Sequence, residues 1–411
     1  MFNRPQSGAA ERNRLTLCRR GSIDAMIRSV RCLVLVAGLS LSTGWATHAA
    51  AVVTLVRLPD AGIQPQIAVD GNGTVHVLYF KGDDAHGDLF YARLGPDGTF
   101  SKPIQVNTQA GSAQATGTMR GGHLAIGKNG RVHVTWHGSG QALPRAPGNE
   151  TPVLYARLND AGTGFQPERN VVQQRVDGLD GGTVAADPAG NVYVAWHAFE
   201  PGLRGEADRR VWVTRSSDDG RTFARETAAS DAATGACGCC AVGALADRGG
   251  TLYLLYRAAF ETVHRDTYLL TSRDKGMTFT TSRLQEWNIG ACPMSTFSLI
   301  DATTGILAAW ETDGQVQWTR VDPRTGEHAG TVSPPGATKN RKHPVLAANA
   351  RGETLLVWTE GTSWNKGGGL AWQLFDRDGK PLSEQGRLAG VPAWSQVAVV
   401  ARPDGGFTIV Y

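Results

Sequence analysis

The sequence predicts an all-β ring of small sheets, a β-propeller of six or seven blades. Three observations carry that prediction. A strand–turn–strand unit recurs down the chain, its turn glycines are regularly spaced, and a β-branched strand ending in an aromatic follows each turn. The turns fall at Gly73, Gly130, Gly190, Gly250, Gly305, Gly352 and Gly405, which are 47 to 60 residues apart.

The units run in order. Gln66–Asp70 turns and returns as Val75–Tyr79, His123–Ile126 as Val132–Trp136, and Thr183–Asp187 as Val192–Trp196. Ala244–Asp247 returns as Leu252–Tyr256, Thr296–Ile300 as Ile306–Trp310, and Val345–Ala348 as Leu355–Trp358. Third and fourth strands follow, as in Asp88–Arg93 then Phe100–Val106. Such a unit cannot bury both faces alone, so neighbours must stack. The last unit, Val397–Val400 and Phe407–Tyr411, has only two strands, while Val52–Arg57 precedes the first unit unpaired. Seven blades, the last completed by that N-terminal strand, is the expected closure. Six blades with a packed C-terminal hairpin is the alternative.

Residues 1–50 read as a leader and 51–411 as one propeller domain. A basic stretch from Met26 to Arg31 precedes the apolar run Cys32–Leu41, and small residues follow at Ala46–Ala51. That order is the layout of a secretory signal, with Met26 as its start, and implies a periplasmic or secreted protein. The apolar run is short for a stable membrane anchor. The formal charge is +4, but the leader holds seven arginines and two acidic residues, so the remainder is close to neutral. A nearly neutral domain offers no electrostatic footprint for nucleic acid. A monomer with a protein partner or a glycan as ligand fits that surface.

Two turns between third and fourth strands share a pattern. Ser216-Ser217-Asp218-Asp219-Gly220-Arg221-Thr222-Phe223 and Ser272-Arg273-Asp274-Lys275-Gly276-Met277-Thr278-Phe279 both read Ser-x-Asp-x-Gly-x-Thr-aromatic. A looser form is Gly95-Pro96-Asp97-Gly98-Thr99-Phe100. The pattern resembles the Asp-box of the sialidase-like (BNR-repeat) propellers, and the resemblance extends over nearly the whole of 51–411. It implies the propeller fold and turns on the face opposite the active site. It leaves the chemistry open, because one fold hosts many activities. Its physical sense is local: the carboxylate accepts backbone N–H bonds, glycine takes positive φ, and the aromatic packs between blades.

On the opposite face, entries to first strands and exits from second strands come together. The entries carry Met119 and His123, then Cys237-Gly238-Cys239-Cys240, then Cys292-Pro293-Met294, then His343. The exits carry His137, His197, Arg257 and Glu311. Export favours oxidised cysteines, so one reading joins Cys292 to one of the 237–240 cluster as a disulfide. A second is a soft metal site built from Cys237, Cys239, Cys240, Cys292, Met294, His343 and His123. Thiolate, thioether and imidazole suit copper(I), and zinc less well. A third is a redox-active thiol pair.

The family resemblance also implies a sialidase, in which an arginine triad grips the substrate carboxylate beside a Tyr–Glu nucleophile pair and an Asp acid/base. The candidates here are Arg257, Arg265, Asp266, Tyr256 and Glu311. Val56-Arg57-Leu58-Pro59 is similar to the family's Arg-Ile/Leu-Pro motif, yet it precedes the first blade, whose opening position holds Gln64-Pro65-Gln66. The function expected from the sequence is therefore a non-catalytic exported propeller binding a soft metal or a partner. A sialidase-type hydrolase and an interaction scaffold are its competitors.

Overall fold

Val53–Val56 pairs in parallel with Phe407–Val410, and that pairing closes a ring of seven sheets. The computed structural model describes residues 51–117, 120–176, 180–261, 263–336 and 340–411. The expected leader and Met119 lie outside the described residues. Among the described residues, no helix is long and apolar enough to cross a membrane.

The closing blade is mixed: Ala398–Ala401 runs antiparallel to Phe407–Val410, whose other edge takes the N-terminal strand. The other six blades are antiparallel meanders in sequence order. Five have four strands. The fifth blade has three, Ser298–Ala302, Gly305–Thr312 and Gln315–Val321, with isolated bridges to Val332 and His328 along its outer edge. The first strands of consecutive blades are neighbours around a complete cycle. They line a central channel of about 920 Å³.

Each seam between blades has its own apolar core. The aromatics that end the second strands supply much of it. Trp136 packs in the seam of blades one and two, Trp196 in that of two and three, and Tyr256 in that of three and four. Trp310 and Trp358 fill the next two seams. Second strands are covered on both faces, which is why those of blades three to six read as near-continuous apolar runs, while buried His76 and His133 interrupt those of blades one and two. Truncating one such tryptophan to alanine costs about 3–5 kcal/mol.

The two Ser-x-Asp-x-Gly turns have the same internal bonding. Asp218 Oδ1 accepts from Ser216 Oγ at 2.6 Å and from Thr222 N at 2.8 Å, while Oδ2 accepts from Thr222 Oγ1 at 2.6 Å. Asp274 accepts the equivalent bonds from Ser272 and Thr278 at 2.5–2.9 Å. Phe223 then meets Tyr155 of the preceding blade edge-on, with centroids 4.8 Å apart.

Several first strands begin with a bulge. The register shifts between Ile63 and Gln66, between Asp180 and Thr183, and between Lys342 and Val345. Gln64, Gly181 and His343 occupy those bulges at φ of 55°, 66° and 52°. A bulge re-aims a side chain that regular pleating would send elsewhere. Here it does so at the ring's mouth.

Candidate metal centre

The loop before Gly243–Ala246 carries three cysteines and is tied down on both sides. Cys237 N donates to Arg257 O at 2.9 Å, at the end of the neighbouring second strand. Ala241 N donates to Ser295 O at 2.9 Å, at the entry to blade five. Between these ties, Cys240 N donates to Cys237 O at 3.2 Å and forms a tight turn. Gly235 starts the loop at φ 57°, where a Cβ would press on Ala259 O and Ala207 Cα at 2.9–3.0 Å. Only glycine fits there.

The turn gathers three sulfurs. Cys237 Sγ lies 3.3 Å from Cys239 Sγ and 3.1 Å from Cys240 Sγ, and all three lie within 4.8 Å of one another. The four cysteines of the domain are unbridged, and Cys292 is exposed, outside this group. Cys237 and Cys240 are buried, whereas Cys239 is partly open.

The environment separates the thiols. Burial pushes Cys240 up, but the Cys237 and Cys239 thiols, the Arg257 guanidinium and the Ser295 N–H outweigh it and hold Cys240 well below its ordinary value. The neighbouring Cys237 and Cys240 raise Cys239, and Cys240 with burial raises Cys237 as well. The arrangement is a chain of sulfurs with Cys237 in the middle, in contact with both Cys239 and Cys240, and with the Arg257 guanidinium favouring the thiolate form of Cys240. It is a site built to hold negative sulfur, which is the state that ligates soft metals.

His197 and Gly181 support the loop from blade three. His197 Nε2 donates to Cys240 O at 2.7 Å, leaving its buried Nδ1 without a hydrogen-bond partner. A Cβ on Gly181 would come within 2.8 Å of His197 Nε2. His137 bonds instead to Gln114 Nε2 at 2.7 Å.

The remaining donors named from the sequence fall in separate places. Met294 and His343 line a small cavity of about 20 Å³ beside Trp364 and Trp394. His123 lines the wide channel. Its ring is half-buried, because channel space reaches it, and the enclosing protein pushes its pKa down to about 4. The sequence placed these donors at one mouth; the structure divides them among the cysteine turn, the side cavity, the channel and the surface. Lys342, Trp364 and Trp394 escaped the sequence reading, although Trp394 sits at the same first-strand entry position that drew attention to the cysteines.

The candidates for sugar chemistry are engaged in structure. Arg257 is buried; it donates to Arg265 O at 2.6 Å and Glu311 O at 2.5 Å, and lies 4.8 Å over Trp287. Arg265 is buried and pairs with Glu206 at 2.5 Å. Asp266 accepts from Trp287 N at 3.0 Å, and the Tyr256 hydroxyl meets Thr234 Oγ1 at 2.8 Å. Arg57 lies 4.8 Å over the Tyr411 ring, at the closing seam. Glu311 is buried, 3.6 Å from Lys342 Nζ, with Oε2 unpartnered, and burial pushes it up to about 7.

Comparison with known proteins adds to the fold. No family model matches the chain, and no curated protein matches it. Among solved structures, it is similar to a Penicillium chrysogenum α-L-arabinanase complexed with arabinobiose, at 10% identity over 78% of this chain and 95% of that one, with a TM-score of 0.50. A Hadza microbial sialidase is similar at 13% identity over 77% and 69% of the two chains, with a TM-score of 0.47. A leech intramolecular trans-sialidase is similar at 8% identity over 86% of each chain, with a TM-score of 0.48. At such identities the likeness is one of fold alone.

Proposed function

We propose that this chain is an exported, non-catalytic propeller that binds a soft metal ion, copper(I), through Cys237, Cys239 and Cys240 at the mouth of the ring. The observation that carries the reading is the meeting of three sulfurs within 4.8 Å in a turn held by bonds from two blades. The donor set fits the ion. Thiolates select copper(I), whereas structural zinc completes a tetrahedron of four ligands, one more than this turn supplies. Arg257 offsets part of the negative charge that three thiolates bring to a buried place. Cys239, the partly open member, is where an ion or a donor protein would arrive.

The leader implies a periplasmic or secreted location, and the nearly neutral domain acts as a monomer toward a protein partner. Anaerobically purified mature protein, titrated with copper(I) against a chromophoric chelator, tests the reading. A single tightly held equivalent is expected at the triad, lost on replacing Cys239 and Cys240 with serine. Retention of the same affinity without those sulfurs would overturn it. Mass measurement of the exported chain tests the leader, which should be absent.

A further inference from the structure

We propose that Met294 and His343, with the indoles of Trp364 and Trp394, form a second soft-metal site that takes a monovalent ion and stands as the antechamber to the cysteine triad. Met294 and His343 reach this cavity from the entries of adjacent blades, five and six. The cavity measures about 20 Å³, room for one water-sized body and no organic ligand.

His343 points to a ligand. It is 5% exposed, and its Nδ1 meets Thr296 Oγ1 at 3.2 Å. With the ring proton assigned to that bond, Nε2 keeps its lone pair for a ligand. Met294 brings a thioether. Trp364 and Trp394 meet edge to face at 4.8 Å, and Trp364 is half exposed at the rim. Their π faces favour a cation at close range.

Lys342 and Lys366 also line the cavity. Lys342 is already held by Pro293 O at 2.6 Å and by Glu311 at 3.6 Å. The ammonium groups penalise every added positive charge, so a monovalent ion is admitted ahead of a divalent one. The thioether selects the same class, the monovalent coinage metals, and imidazole accepts it. The site adjoins the triad through one residue: Ser295, next to Met294, aims its N–H at Cys240 Sγ, 3.5 Å away. An ion captured by neutral donors at the rim passes down a gradient of softness to thiolates.

Silver(I), which is redox-inert, is the probe. The intact protein is expected to take two equivalents, the weaker of which quenches tryptophan fluorescence. Met294→Leu, nearly isosteric, and His343→Asn, which tolerates the left-handed backbone, should each weaken that equivalent at least about tenfold while leaving the stronger one unchanged. X-ray absorption at the silver edge, compared between one and two equivalents on the unmutated protein, should show nitrogen joining sulfur in the ligand shell, and this readout does not depend on any variant folding. A single equivalent with sulfur-only ligation would overturn the second site and leave the triad standing. Loss of the stronger equivalent alone in cysteine-to-serine variants would separate the two readings.

Discussion

The two ends of the ring treat polar groups in opposite ways. At the turn end, Asp274 is half-buried and satisfied within its own turn; the Thr278 hydroxyl and N–H with the Ser272 hydroxyl pull its carboxyl down to about 2. At the mouth, Glu311 is buried with one oxygen unpartnered, and burial pushes it up to about 7. The turn end repeats from blade to blade. The mouth does not: cysteines enter from one blade, Met294 from the next and His343 from the one after. Repetition with local satisfaction is how a scaffold is stabilised. Unrepeated groups held against their solvation preference mark where structure has been spent on something other than stability.

That contrast breaks most readily at Arg257. Its guanidinium ties two backbone carbonyls across blades four and five and faces the Cys240 thiolate. Arg257→Met should destabilise the fold by about 3 kcal/mol in urea denaturation. It should also slow thiolate-specific alkylation of the triad at neutral pH. A stability change without any change in alkylation would show the arginine serving the scaffold alone.

The two carboxylates should also respond to pH in opposite directions. A carboxyl raised in the folded state binds its proton more tightly there, so its stabilisation is complete below about 4.5 and is lost as pH climbs through about 7. For Asp274 the stabilisation is present above 3.8 and lost as pH falls through about 2. Glu311→Gln should therefore remove a decline of about 2 kcal/mol between pH 5 and pH 7 that the parent protein shows. An unchanged pH profile in that window would mean that Lys342 keeps Glu311 ionised.

At the turn end the effects should be smaller and confined. Asp218→Ala removes three short bonds from one turn, and we expect a loss of about 1–2 kcal/mol with metal binding untouched. A loss of metal affinity from so distant a change would contradict the division between the two ends.

How much of this was legible in the sequence follows the same division. The glycine spacing and the second-strand aromatics gave the blades, because every seam needs the same large side chain at the same place. The unpaired Val52–Arg57 segment gave the closure, because an edge strand without a partner is costly in a ring. At the mouth, residue type pointed to soft ligands, but proximity in three dimensions was beyond reach. Nothing in the spacing told that Arg257 would spend its donors on Arg265 O and Glu311 O, and the second of those bonds exists only once blades four and five are docked. Trp364 was passed over because it lies inside a second-to-third-strand loop, beyond the strand entries and exits that the repeat makes legible.

Cys292 gives the smallest expected effect and the sharpest test of which cysteines matter. The sequence offered it as a disulfide partner and as a metal ligand equal to the other three. It is exposed, while the other three sulfurs gather without it. An exposed side chain away from core, caps and networks changes stability by no more than about 0.5 kcal/mol when replaced. Cys292→Ser should therefore match the parent in denaturation and in copper(I) affinity at the triad. Thiol counting under denaturing conditions on protein taken from the oxidising compartment completes the test. If Cys292 proves bridged to Cys237, Cys239 or Cys240 there, the triad holds too few thiolates for copper(I), and the mouth is a stapled structure rather than a metal site.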